Sequence, residues 1–202
     1  MTQEQIQKVT AYMEATSALQ RRLAGACASQ IVEASHAVTV ALRTGNKVLL
    51  CGNGGSAADC QHMATELMSR LSRDRERAPL AAIALTTDSS FITAYGNDYG
   101  FDGIFERQVE ALGRKHDVLI AISTSGQSEN VRRAVRAAKA KAMTTIGLVG
   151  AGGSLEHDVD VAVVIPDDDT QHIQEALLPV EHLICWFVES AMFGTTDVKG
   201  RR

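Results

Sequence analysis

KVLLCGNGGSAA, residues 47–58, joins an apolar run to a glycine-rich turn and then to the start of a helical segment. VLIAISTSGQSEN, residues 118–130, repeats this order with a turn rich in hydroxyl side chains. In both stretches, small residues let the chain turn tightly and expose successive backbone N–H groups at a helix N-terminus. Each stretch therefore predicts a strand, a turn and a helix, the unit from which parallel sheets are built.

The same alternation continues along the chain. Short apolar runs predict strands at 47–51, 81–86, 117–122, 144–149 and 160–165. Helical segments are predicted at 5–24, 28–42, 57–70, 104–112, 129–141 and 170–193. Because strands that alternate with helices form a parallel sheet covered on both faces, we expect an α/β fold.

Length and composition indicate one globular domain. The 202 residues are 45% hydrophobic with a net charge of −4, so residues 1–202 lack the basic surface of a nucleic-acid-binding protein. The longest apolar stretches, such as 118–122 and 161–165, are far shorter than the ~18–20 residues that cross a bilayer. With no secretory-signal pattern, we expect a soluble, cytoplasmic protein. Its four cysteines should be reduced and mostly buried, at positions 27, 51, 60 and 185.

Both turns are candidate anion sites. The first, residues 52–56, offers backbone N–H groups, and the second adds four hydroxyl donors, from Ser123, Thr124, Ser125 and Ser128. Since parallel sheets bind ligands at the carboxyl ends of their strands, phosphate is the expected ligand. The alternative is that these residues serve only the turns and the helix starts.

A dinucleotide site competes with this interpretation. Gly52-x-Gly54-x-x-Ala57 formally satisfies the G-x-G-x-x-G/A pattern. That pattern also needs an acidic residue about 20 positions further on. Asp88 lies 31 residues beyond Ala57, so a nucleotide-dependent oxidoreductase is a weak alternative. Neither turn carries the Gly-Lys-Ser/Thr ending, which excludes a Walker A loop.

Two helices carry candidate metal ligands. His62 and Glu66 are four residues apart, so they share one helix face and suit zinc or another divalent cation. An exposed helical pair without a ligand is the alternative. Gln174 and His182 are eight residues apart, about 12 Å along a helix, so they converge on one ion only if their side chains reach towards each other. Pro179 between them is a candidate bend.

Other charged residues are predicted to lie in solvent. The run from Ser72 to Arg77 reads as a solvated loop before Pro79. Glu175 and Glu181 are placed on the exposed face of the last helix.

Four long stretches make the chain resemble the sugar isomerase (SIS) domain, and within it the phosphoheptose isomerase family. They are CGNGGSAADCQHMATEL (51–67), ALTTDSSFITAYGNDYGFDGIF (84–105), ISTSGQSENV (122–131) and HIQEALLPVEHLI (172–184). The resemblance covers nearly the whole chain. It implies a three-layer, doubly wound fold of the flavodoxin-like type, with a five-stranded parallel sheet.

The resemblance also implies a site. Zinc, one ion per subunit, would be held by His62, Glu66, Gln174 and His182, with Glu66 and His182 transferring protons. The sugar phosphate would be bound by Asn53, Gly54, Gly55, Ser56, Glu66, Asn97, Asp98, Ser123, Thr124, Ser125, Ser128 and Gln174, with Asn97 and Asp98 on a loop. A homotetramer is implied, and the N-terminal helices within residues 1–44 would pack against other copies.

The implied reaction converts sedoheptulose 7-phosphate to D-glycero-D-manno-heptose 7-phosphate through an enediol. It would open the synthesis of nucleotide-activated heptose for lipopolysaccharide. The alternative within the fold is a non-catalytic SIS protein that binds the replication initiator. That relative lacks the carboxylate found here as Glu66, which favours the enzyme.

Overall fold

A computed structural model describes residues 2–73 and 75–194. The helices are α1 (Gln3–Ala26), α2 (Ala28–Arg43), α3 (Gly55–Met68), α4 (Ser89–Tyr99), α5 (Ile104–Leu112), α6 (Glu129–Ala140), α7 (Leu155–Asp158) and α8 (Thr170–Phe193). The strands are β1 (Val48–Gly52), β2 (Ala82–Ala84), β3 (Val118–Ser123), β4 (Thr144–Gly150) and β5 (Val161–Ile165). A 3₁₀ turn, Phe101–Gly103, precedes α5.

The five strands form one parallel sheet in the order β2-β1-β3-β4-β5. The chain first adds β2 beside β1 and then crosses to the other side of β1 to form β3. Strand order therefore reverses between β1 and β3, where open α/β sheets bind their ligands. The predicted five-stranded, parallel, doubly wound fold is confirmed.

Alternate strand residues face opposite layers of helices. Val48 and Leu50 pack into the apolar core formed with α2, α3 and α8. Leu49 and Cys51 pack into a second core, formed with α5 and α6. Every residue of β1 and of β3 is buried, as expected of central strands covered on both faces. All four cysteines are buried and unpaired, as predicted.

α8 packs against α1, α2, α3 and the sheet, and it continues through Pro179 to Phe193. By length and composition α8 is long and apolar enough to cross a membrane. This was not expected from the sequence, because polar residues interrupt its apolar stretches. Buried core helices meet the same criterion, and nine of its residues are buried in the fold.

α4, α7 and the 3₁₀ turn were not predicted, and the prediction for the charged run before Pro79 was wrong. α7 has only four residues, and none of the α4 residues is buried, although Ile92 and Tyr95 pack against the second core. The run that ends at Arg77 was expected to be a solvated loop, but the side chains of Arg75 and Arg77 are both buried, by contacts with α8 and, for Arg77, with the end of α3. Charge alone misled here, because a guanidinium that satisfies its donors can be buried.

Candidate active site

The two turns lie side by side at the carboxyl edge of the sheet. Gly52, the last residue of β1, is in register with Ile122 of β3. Beyond this point the Asn53 and Asn130 side-chain amides donate to each other, at 2.9 and 2.8 Å. Asn130 is buried and also accepts from the backbone N–H of Val131 at 2.9 Å. Asn53, predicted to bind substrate, therefore links the two turns through its side chain.

Backbone geometry leaves both turns suited to an anion. Gly54 has a φ of +56°, which favours glycine, and directly precedes α3. Neither α3 nor α6 receives a side-chain cap at its N-terminus among the described residues. In the second turn, Ser123 Oγ donates to Ser128 Oγ at 3.3 Å, so these two predicted binding residues face each other. Ser56 of the first turn is buried.

A group of three ligands forms between α3 and α8. The Nε2 atoms of His62 and His182 are 2.9 Å apart, and Glu66 Oε1 lies 3.8 Å from His62 Nε2. One ligand atom from each of the three residues lies within 4.8 Å of the others. The structure thus joins three of the four predicted zinc ligands from two helices distant in sequence.

The donor set fits a zinc ion. Two imidazole nitrogens bound to one tetrahedral zinc lie about 3.3 Å apart, close to the distance seen here. The Glu66 side chain is only 17% exposed, and its Oε2 atom is buried without a hydrogen-bond partner. Because an unpartnered buried carboxylate oxygen is costly, this atom is suited to a metal ion or to a substrate proton.

Gln174, the fourth predicted ligand, is a residue of α8, and its side chain contacts the first residue of α3. A Cβ atom added at Gly55 would overlap the Gln174 side-chain amide, so the two residues are in close contact. Gly55 precedes His62 by seven residues, about 10 Å along the helix. Gln174 therefore lies beside the first turn, and its binding to the same ion stays a prediction.

Asn97 and Asp98 were expected on a loop, and this was wrong. They occupy the last turn of α4, where Asn97 Nδ2 donates to Asp98 Oδ1 at 2.9 Å. Asp88 directly precedes the helix, and its carboxylate accepts from the Phe91 N–H; Gly100, with a φ of +92°, directly follows it. Asp88 was the acidic residue considered for a dinucleotide ribose, and here it caps a helix.

Comparisons with known proteins decide the family. Residues 11–150 match the SIS domain family. A phosphoheptose isomerase from Rhodospirillum rubrum is 53% identical over 169 residues, covering 83% of this chain and 89% of that protein. The chain belongs to the phosphoheptose isomerase family. The family assignment agrees with the resemblance carried by the four sequence stretches.

Solved structures of the family share the fold. The phosphoheptose isomerase from Francisella tularensis superimposes with a TM-score of 0.88 at 38% identity, covering 94% of this chain and all of that one. The enzyme from Neisseria gonorrhoeae gives 0.85 at 40% identity, covering 91% and 98%. These comparisons do not support the alternative of a non-catalytic protein that binds the replication initiator.

Glu181, next to His182, is a feature that sequence reasoning missed. It was predicted on the exposed face of α8, but it is 1% exposed, and neither carboxylate oxygen has a hydrogen-bond partner. Burial, together with the nearby Asp59 carboxylate, raises the pKa of Glu181 to about 8. Burial also raises the pKa of Asp59 itself. The prediction failed because α3 packs against α8 and covers a face that was expected to be exposed.

Proposed function

We propose that this chain isomerises sedoheptulose 7-phosphate to D-glycero-D-manno-heptose 7-phosphate. The observation that carries the proposal is the His62–Glu66–His182 group: His62 and Glu66 lie on α3, which begins at a phosphate-type turn, and His182 meets them from α8. About 10 Å of helix separates Gly55 from His62. This spacing suits an extended sugar whose phosphate end and reacting end are bound by different groups.

The phosphate end would be held at the carboxyl edge of β1 and β3. N–H groups of the first turn come from Asn53, Gly54, Gly55 and Ser56, and the hydroxyl donors from Ser123, Thr124, Ser125 and Ser128. The partial positive charge at the starts of α3 and α6 favours a dianion there. Asn97, Asp98 and Gln174 would bind the hydroxyl groups of the sugar.

Proton transfer would take place at the other end. Glu66 has a buried carboxylate oxygen without a partner, and it would remove the proton from the carbon beside the carbonyl. His182 would donate and accept protons at the substrate oxygen, which relocates the carbonyl by way of an enediol. Its Nε2 faces His62 Nε2, so the tautomer of each ring depends on the other.

His62, Glu66, His182 and, if its side chain extends, Gln174 would hold one Zn²⁺ per subunit. Bound there, the ion would supply Lewis acidity at the carbonyl oxygen. A carboxylate bound tightly to zinc is a weaker base, so the ligand and base roles of Glu66 would alternate during turnover.

Assembly and location complete the proposal. α1 and α2 expose large apolar side chains, at Ile6, Val9, Met13, Val32 and Val40. Contact with other copies in a homotetramer would cover them. We place the enzyme in the cytoplasm, at the first step of activated heptose synthesis for lipopolysaccharide.

The decisive experiment is a direct assay. Purified protein is incubated with sedoheptulose 7-phosphate, with and without a chelator, and the products are followed by NMR. We expect a new aldose phosphate that the chelator suppresses and added zinc restores. Absence of conversion in zinc-loaded, tetrameric protein would refute the activity.

A further inference from the structure

A buried ion pair joins the ends of the two helices that carry the candidate ligands. The Arg77 side chain is 2% exposed and that of Glu189 is 5% exposed. Arg77 Nε donates to Glu189 Oε2 at 2.6 Å. An ion pair this deeply buried is retained at a high desolvation cost, so its position in the fold calls for an explanation.

The remaining donors of Arg77 cap the C-terminus of α3. Nη2 donates to the backbone oxygen of Glu66 at 2.7 Å, and Nη1 donates to that of Leu67 at 2.8 Å. Nη1 also reaches the Ala78 carbonyl at 3.1 Å. The last carbonyls of a helix have no partners within it, so Arg77 satisfies two of them at once. One belongs to the candidate base, Glu66.

Glu189 provides the connection to α8. It follows His182 by seven residues, which places both on the same side of the helix, about 10 Å apart. Its carboxylate also accepts from the Leu71 N–H at 3.3 Å, and its backbone oxygen accepts from Arg75 Nη1 at 3.2 Å. The α3 end and α8 are thus held together by the Arg77 guanidinium and the Glu189 carboxylate, and the Arg75 guanidinium is buried beside them with its Nε 3.8 Å from Glu189 Oε1.

We propose that Arg77 and Glu189 are positioning residues that set the distance between Glu66 on α3 and His182 on α8. Neither touches the reacting atoms. The proposal rests on the proposed function, since it assigns these residues a role through the zinc and proton-transfer group. Loss of an outer contact of this kind costs metal affinity or activity by roughly 10- to 100-fold.

The test compares variants in two measurements at a temperature where all of them are folded. Zinc affinity is measured by competition with a chromogenic chelator, and kcat and KM are measured separately. For Arg77→Gln we expect zinc affinity and kcat each to fall roughly 10-fold or more, with KM for the sugar phosphate little changed. A purely structural role would lower Tm and leave both quantities intact, and that result would overturn the proposal.

Two further variants keep the test decisive. Glu189→Gln retains the Arg77 bonds to α3, and it decides by the same readouts if Arg77→Gln does not fold. The Arg77→Gln/Glu189→Gln double variant removes both charges of this pair, and the buried Arg75, whose Nε lies 3.8 Å from Glu189 Oε1, loses a charged partner. We therefore expect the double variant to regain part of the lost Tm without regaining zinc affinity. Full recovery of both would attribute the effect to the unpaired charge and refute positioning.

The control is Arg133→Gln, which removes a partly buried pair with Glu106 on the opposite face of the sheet. It should lower Tm while leaving zinc affinity and kcat unchanged. Failure of the proposed function is recognised separately: the unsubstituted protein would then bind no zinc or convert no substrate. Failure of the positioning role leaves the unsubstituted protein active and the Arg77→Gln protein equal to it.

Discussion

His62 Nε2 lies 2.9 Å from His182 Nε2, although 120 residues separate the two histidines in the chain. At this distance one ring nitrogen must carry a proton and the other accept it, or both must face a shared cation. With the Glu66 carboxylate 3.8 Å from His62, the second arrangement has a third ligand in place. The predictions below test this pair and the elements that hold it.

Removing the proposed base should stop the reaction and keep the fold. Glu66→Gln preserves side-chain shape, so the fold should persist while kcat falls by about 10²- to 10⁴-fold. The measurement is conversion of sedoheptulose 7-phosphate, with circular dichroism for the fold. Glu110→Gln, an exposed carboxylate on α5, is the control and should be fully active. Undiminished kcat in Glu66→Gln would remove this residue from the mechanism.

Zinc should stabilise the folded protein through His182. A ligand at a hundred times its Kd adds about 2.7 kcal/mol to the free energy of unfolding, so Tm should rise on zinc addition. His182→Ala should eliminate this rise, which differential scanning calorimetry would detect. His157→Ala, whose side chain is 79% exposed, should keep it. An equal zinc-dependent shift in the His182 variant would argue against the assigned ligand set.

Breaking the amide pair between the turns should affect stability and substrate binding together. Asn130→Ala leaves the Asn53 amide without its partner, so we expect a loss of about 1–3 kcal/mol in the free energy of unfolding. KM for the sugar phosphate should rise because the two turns are no longer held in register. Chemical denaturation and steady-state kinetics measure these effects. Asn46→Ala, near the other end of β1, is the control and should leave KM unchanged. An unchanged KM in Asn130→Ala would contradict the proposed link between the amide pair and substrate binding.

Contact between Gly55 and Gln174 gives a paired prediction. Gly55→Ala should displace the Gln174 side-chain amide, the flexible end that the new Cβ overlaps, and so should lower activity with little change in Tm. Gly25→Ala in α1 meets nothing within 4 Å, so it should stabilise the protein by about 0.5–1 kcal/mol and leave activity unchanged. Adding Gln174→Ala to Gly55→Ala should cause little further loss of activity. Steady-state kinetics and thermal unfolding measure these effects, and full activity in Gly55→Ala would contradict a role for the Gln174 amide beside the first turn.

Strand and helix alternation was readable from local sequence, because apolar runs and glycine turns are short-range signals. The predicted β1 and β3 strands and the turns after them match the structure closely. α4 was missed although its sequence carries signals: Phe91, Ile92, Tyr95 and Tyr99 recur at helical spacing, and Asp88 and Gly100 flank the helix. Glu181 and Arg77 were placed in solvent because charge at one position does not reveal its partners.

By itself, the sequence determined the class of fold, the two turns at strand ends and the i, i+4 pairing of His62 with Glu66 on one helix face. Those properties depend on residues near one another in the chain. Only the tertiary structure decided that His182 meets His62, that Asn53 is paired with Asn130, and that Arg77 reaches Glu189. The contacts of His182 and Glu189 depend on how α8 packs beside α3, and the amide pair depends on the pairing of β1 with β3. Both are set by the packing of the whole domain, which no local sequence pattern encodes.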